Sequence, residues 1–514
     1  MTAWILAAMS ALAAGQSDRP TKAITVTVLD TPRQMFRGLG TSILPNANYA
    51  KLTDAQRREM GKRIWKDMNL RVARLWFDVA EFAPTADKRN AKPFRRGYVT
   101  SKRIKTALDN GCEQLLLAPC GQFPAWLRGP KPRKAGGQRR AAPWPLVAPG
   151  KEKDYARLLA DFIKLLRDRD GVRITATGIY NEPSPEWGWD WMVKVVKALR
   201  AELDARGLKD VRIIAPETCN TDWVWDGFAG AIEKDPVAQK ALGGTASHSY
   251  NMAGNDHVDA YVARTGKDYW MTEAGGNGPE TLPDPEHGAS AACRMLGDFN
   301  HGVGYWIWFL ADEHHDPRDD KTRLIRWWPN PHFKYERLTQ YEYLLHLSKV
   351  FPPGTVGRRC TSDVNGTMTW TYGLKPWLVA AAGVRPDGTW VIAVCNNTSP
   401  RFDPRPPARV PSPGQATAPD ADLKKALSGD DGKPAAAPEP PPLSQWERSQ
   451  GLHPAHDLVV TFNLPAGSKL AAATFLVRRT NAKATMQPAG EVRAADGKVT
   501  VTIAPMELVT LEAR

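Results

Sequence analysis

The chain has 514 residues, 42% of them hydrophobic, which excludes a wholly disordered protein and leaves room for two or three domains. Its net charge of +14 invites an acidic partner, yet no helix-turn-helix, zinc-finger or RNA-binding signature accompanies that charge, so no nucleic-acid partner is expected. The basic residues are scattered, densest in Lys131–Arg140 and Arg401–Arg409, as on a solvated surface.

Met1 to Gln16 is apolar and built of small residues, and it resembles a signal peptide with a cleavage site near Ala13 to Gly15. Its only positive charge is the terminal amine. No other stretch is long and apolar enough to span a membrane, so a soluble secreted or periplasmic protein is expected. The six cysteines would then meet oxidising surroundings. Their spacing matches no zinc motif, and free thiols and disulfides both stay open.

Ala23–Leu29 alternates as a strand should, and Gln34–Ile43 is glycine-rich and extended. Thr53 with Gln56 has capping-box form and opens a helix. From there strand-like and helix-like segments alternate. Strands are expected near residues 40, 75, 117, 177, 213, 247, 271 and 306, with helices such as 154–169, 191–206 and 289–299 between them. Eight such units, with no Gly-rich dinucleotide fingerprint after a first strand, indicate a (β/α)8 TIM barrel over residues 37–350. After Phe351 the pattern changes to short strands: Thr367–Tyr372, Leu378–Gly383, Trp390–Val394, Leu458–Phe462, Thr474–Arg478, Val499–Ile503 and Leu508–Leu511. They indicate an antiparallel β-sandwich over 351–514, joined by strand material from 17–36. The stretch from about 399 to 453, rich in Pro and Ala, reads as a solvated insertion.

A barrel carries its chemistry at the C-terminal strand ends. Pro183 cannot donate to a ladder, so Asn181-Glu182-Pro183 should end the fourth strand with Glu182 at its tip. The other tips offer Arg74 and Asp78, Glu217, His248 and Tyr250, Glu273, and Trp306 and Trp308, with Trp126 on the third loop. Glu182 and Glu273, on strands four and seven, face each other across the mouth. Retaining glycosidases hold two carboxyls roughly 5–5.5 Å apart. Asp312 to Asp316 has the composition of a metal cluster, but a charged loop after strand eight is the expected reading, with no metal and no cofactor.

Asn181-Glu182-Pro183 and Trp270-Met271-Thr272-Glu273 resemble the paired signatures of the clan-A retaining glycoside hydrolases, most of all glycoside hydrolase family 30. Phe36–Ser42, Ala215-Pro216-Glu217, His248-Ser249-Tyr250 and Trp306–Phe309 carry the same resemblance, as does a C-terminal sandwich completed by an N-terminal strand. The resemblance implies that Glu182 is the acid and then the base, and that Glu273 is the nucleophile. It implies that Asn181 binds the sugar 2-hydroxyl, that Arg74 and Tyr250 orient an ionised Glu273, and that Trp308 floors the subsite with Trp126 as a wall. His248 would join these binding residues or support the mouth, and Glu217 would be functional or structural. Glu182 should have its pKa held up by partial burial and by the neighbouring carboxylate. The expected partner is an oligosaccharide, polysaccharide or glycoconjugate, and the expected state is a monomer. The first loop, Leu44–Tyr49, and the third, Gly129–Pro149, depart from the family. The basic third loop suggests an anionic or highly substituted glycan. The alternatives are a non-catalytic carbohydrate-binding or cell-surface barrel, or another clan-A family of β-xylosidase or glucuronidase type.

Overall fold

A computed structural model describes residues 19–128, 147–250, 254–275, 285–314, 322–362, 364, 376–399 and 453–514. The leader at 1–16, the basic runs Lys131–Arg140 and Arg401–Arg409, the strand expected at Thr367–Tyr372 and all but the ends of the Pro/Ala-rich insertion lie outside them.

The first strand, β1 (Thr21–Met35), belongs to the C-terminal domain and is taken up below. The barrel follows: β2 (Gly38–Ile43), β3 (Leu70–Asp78), β4 (Gln114–Cys120), β5 (Ala176–Thr177), β6 (Arg212–Thr218), β7 (Leu242–His248), β8 (Tyr269–Ala274) and β9 (Val303–Trp308). Neighbours pair in parallel, and β2 pairs with both β3 and β9, which closes the ring. All eight strands fall where the sequence pattern places them. Their inward side chains fill the lumen: Val72, Leu116, Ala176, Ile214, Ala246, Trp270, Tyr305 and Ile307 form one buried cluster. Val72 and Ile307 leave no room for a side chain at Gly40 on β2. A Cβ at Gly40 would come within 2.6 Å of the Val72 Cβ, so glycine is needed there.

Helices wrap the outside with their apolar faces inward. The helix Glu152–Asp170 buries Tyr155, Leu158, Leu159, Phe162, Ile163 and Leu166, spaced three and four apart. Phe162 stacks on Phe77 of β3 at 4.0 Å between centroids. Each such burial stabilises the fold by about 1.5–3 kcal/mol. Gly171 ends this helix at φ +65°, the left-handed cap that glycine adopts without strain. Thr53 and Gln56 form the reciprocal capping box ahead of helix Asp54–Gly61.

Three short strands follow the barrel: β10 (Asp312–His314), β11 (Ile325–Trp328) and β12 (Lys334–Arg337). Asp312, part of the acidic-histidine run, is buried and paired with Arg103 at 2.6 Å. It serves as a structural ion pair, while His315 and Asp316 lie outside the described residues.

The remaining strands are β13 (Val356–Ser362), β14 (Leu378–Val384), β15 (Trp390–Asn396), β16 (Asp457–Asn463), β17 (Thr474–Asn481), β18 (Ala484–Arg493), β19 (Lys498–Ile503) and β20 (Leu508–Ala513). They form one sheet in the order β18-β17-β20-β15-β14-β13-β1-β16-β19, and a single apolar cluster unites its two wings into a sandwich. The N-terminal strand is built in as expected: β1 pairs antiparallel with β13 and parallel with β16. Period-two alternation then serves two cores. On β15, Ile392 and Val394 enter the sandwich, whereas Val391, Ala393 and Cys395 pack into the barrel-side core. At this interface His346, on helix Thr339–Val350, is bonded by Thr480 at 2.8 Å and Thr510 at 2.9 Å. Burial pushes its pKa down to about 3. All six cysteines are free thiols.

Candidate active site

Arg74 is the centre of the barrel mouth. It lies on the inward face of β3, two residues beyond the lumen residue Val72, and its side chain is fully buried. Its Nη1 donates to Glu273 Oε2 at 2.5 Å, and its Nη2 reaches Asn181 Oδ1 at 2.7 Å and Glu217 Oε1 at 3.4 Å. Burial works against the guanidinium charge, but Glu217 and Glu273 outweigh it and raise the Arg74 pKa. Asp78 does not compete for Arg74: it caps helix Val79–Phe82 by accepting from the Glu81 amide at 2.8 Å.

Glu273 is 5% exposed and held on both oxygens. Arg74 takes Oε2, and the Tyr250 hydroxyl donates to Oε1 at 2.6 Å. Burial, then Glu273 itself, drives the Tyr250 pKa well up, so the phenol keeps its proton and remains a donor. Tyr250 is fixed from behind, since Arg294 donates to its carbonyl at 2.8 Å.

Glu182 stands where the fourth barrel strand ends. The regular strand is only two residues long, but its ladder continues: the Asn181 amide donates to Pro119 O at 2.8 Å and the Glu182 amide to Glu217 O at 3.0 Å. Glu182 takes φ +53°, an uncommon conformation for a non-glycine residue that turns the chain at the tip. Its side chain is 38% exposed, and its Oε1 lies 3.0 Å from His248 Nδ1. The Cys219 thiol lies beside it and acts on its charge. Burial pushes the Glu182 pKa up, but His248, Cys219 and Arg74 together overcome that and leave it below the usual value. The expectation of a raised pKa is therefore corrected: burial is the largest single influence, but His248, Cys219 and Arg74 acting together exceed it. His248 itself is fully buried and touches the acid/base candidate.

Glu217 lies wholly buried beneath this pair, at φ +61°. Burial raises its pKa, partly offset by Arg74 and His248. The chain makes room for it: a Cβ at Gly178 would fall 1.6 Å from Glu217 Oε2. Residue 178 must lack a side chain for Glu217 to reach Arg74.

Trp308 is buried at 2% exposure, at 5.9 Å and 24° from Trp306. Trp126 packs on the second loop, its Nε1 donating to Ala83 O at 2.9 Å and its ring facing Arg89. Two further aromatic residues stand at the mouth. Trp76 lies over Arg74 at 4.7 Å and meets Phe309 edge-on at 5.7 Å. The alternation Val72, Arg74, Trp76 along β3 holds the signal for the first. Cys219 has no local signal, because its contact with Glu182 is made only by the fold. The third loop is tied at its ends, where Arg128 pairs with Val147, and its basic run Lys131–Arg140 lies outside the described residues.

Glu182, His248 and Glu273 each offer a ligand atom, and these atoms lie within 4.8 Å of one another. A cation there would have to compete with Arg74 and Tyr250, which already hold both Glu273 oxygens. Asp256, Asp259 and His301 form a second such group, paired with Arg33 and Arg359. No helix among the described residues is long and apolar enough to cross a membrane.

No family model matches the sequence, and no curated protein matches it. Solved structures do. The catalytic domain of a GH30 xylanase C from Talaromyces cellulolyticus superposes with a TM-score of 0.62 at 12% identity, over 95% of this chain and 100% of that one. A GH30 endoxylanase from Clostridium papyrosolvens gives 0.59 at 15% identity, over 96% and 100%. An endo-β-1,6-glucanase gives 0.60 at 16% identity, over 95% and 94%. At these identities the likeness is one of architecture: the chain has the barrel-and-sandwich fold of these GH30 structures.

Proposed function

We propose that the chain is an exported, retaining β-glycoside hydrolase that cleaves β-linked oligosaccharides, polysaccharides or glycoconjugates with two glutamates. The observation that carries this reading is the pair itself: oxygens of Glu182 and Glu273 within 4.8 Å of each other across a barrel mouth. That approach of the two side chains supports a nucleophile and an acid/base acting on one sugar, as in a retaining enzyme.

The roles follow from the surroundings. Glu273, held by Arg74 and Tyr250, attacks the anomeric carbon. The bond to the leaving oxygen breaks as Glu182 gives that oxygen its proton. Glu182, now a carboxylate, takes a proton from water, and the water oxygen displaces Glu273 from the anomeric carbon. Asn181, held by Arg74, presents its amide to the sugar 2-hydroxyl. Trp76 and Phe309 offer apolar ring surface to the sugar. A leader at 1–16 would deliver the enzyme outside the cytoplasm. The solved neighbours described as xylanases and an endo-β-1,6-glucanase make β-xylans and β-1,6-glucans the first substrates to try.

The test is hydrolysis of a panel of aryl β-glycosides and these polysaccharides by the wild type, Glu182→Ala and Glu273→Ala. Each variant should lose about 1000-fold or more in kcat/KM. Wild-type turnover by either variant would end the assignment.

A further inference from the structure

We propose that Trp223, backed by Trp189, is a stacking platform for a sugar on the leaving-group side of the scissile bond. The proposal rests on the hydrolase reading above and adds to it an outer binding site on one wall. Trp223 is 64% exposed, a large apolar ring left open to solvent. A single exposed apolar residue is ordinary, but this one is built in place. Trp189 meets it edge-on at 6.3 Å and 85°. Trp189 is seated in turn on Phe228, at 4.7 Å and 89°, and against Gly227. A Cβ at Gly227 would come within 2.6 Å of the Trp189 ring, so glycine is what lets that indole settle.

The loop that carries Trp223 is also fixed. Thr218 Oγ1 donates to Asn220 O at 2.8 Å, and Asn255 Nδ2 donates to Thr221 O at 2.8 Å from the next loop. Asp222 caps the helix Trp223–Lys234 by accepting from the Val224 amide at 3.0 Å. A ring held by rigid neighbours loses little freedom on binding.

Position assigns the side. Trp223 follows β6, and Trp189 follows the tip that carries Glu182, so both stand on the catalytic face. Cys219, four residues before Trp223, lies beside Glu182. Four residues span at most about 14 Å, a short reach from the scissile bond. Glu182 protonates the leaving oxygen, whereas Glu273 approaches from β8 across the mouth. A chain leaving past Glu182 therefore runs toward β5 and β6. Asp190, Asp222 and Asp226 adjoin the two rings in sequence, which favours an uncharged sugar over a uronate.

The test uses the full chain, with xylohexaose and β-1,6-linked glucohexaose as probes. Binding is measured by calorimetry in a Glu273→Ala background, and hydrolysis in the otherwise wild-type protein. Trp223→Ala should weaken binding of the preferred hexaose about tenfold, with Trp223→Phe recovering part of it and the melting temperature unchanged. The ratio of kcat/KM on the hexaose to that on an aryl glycoside should fall by a similar factor. Equal binding by the Trp223→Ala protein would overturn the proposal, and so would failure of both hexaoses to bind the parent. Hexaose binding that depends on Trp223, in a protein that hydrolyses nothing, would keep the platform and sink the hydrolase reading.

Discussion

Two glutamates face each other across the same barrel mouth, and their surroundings differ. Glu273 is 5% exposed, with a guanidinium on one oxygen and a phenol on the other. Glu182 has a side chain 38% exposed, with an imidazole and a thiol for partners. Two charge-assisted bonds hold Glu273 in one orientation. Glu182 keeps an open side toward water and substrate, where a proton can come and go. The proposed reading gives identical side chains different tasks through their positions.

The comparison breaks most completely at Arg74. Arg74→Ala would leave Glu217 and Glu273 without their cation in a buried site. It should cost about 3–5 kcal/mol of stability and about 1000-fold or more in kcat/KM, read by denaturant unfolding and by kinetics. A folded variant with near-normal turnover would show that Glu273 needs no orienting charge. Tyr250→Phe removes one bond and keeps the ring. A fall in kcat of about 10–100-fold is expected, with little change in stability.

His248→Ala tests the other side, and its sign can be worked out. His248 contributes most to lowering the Glu182 pKa, so its removal raises that pKa. The acid form of Glu182 then survives to higher pH, and the alkaline limb of kcat/KM moves upward even as the maximum falls. For the wild type the same logic places the optimum on the acid side of neutrality. An unmoved limb in a pH profile on an aryl glycoside would separate His248 from the proton transfer.

Much of this was legible in the sequence. The eight barrel strands are buried runs bounded by turns, and the tips carrying Arg74, Glu182, Tyr250 and Glu273 follow from their ends. The strand β18, Ala484–Arg493, was missed because it lies largely exposed at the sheet edge and so shows no apolar alternation. Val356–Ser362 was missed for its polar Arg-Arg-Cys-Thr-Ser run, which finds its partners in β1 from the other end of the chain. The direction of the Glu182 shift was not legible, since it depends on His248 and Cys219 arriving from β7 and the loop after β6. The fit of Glu217 into the space left by Gly178 is likewise a tertiary fact, although an isolated glycine in a strand hints at close approach.

The most direct measurement is the stereochemistry of the first product. Proton NMR during hydrolysis of a β-linked substrate should show the β-anomer first, with the α-anomer appearing only by later mutarotation. Initial release of the α-anomer would mean a single displacement by water and would contradict the assignment of Glu273 as nucleophile.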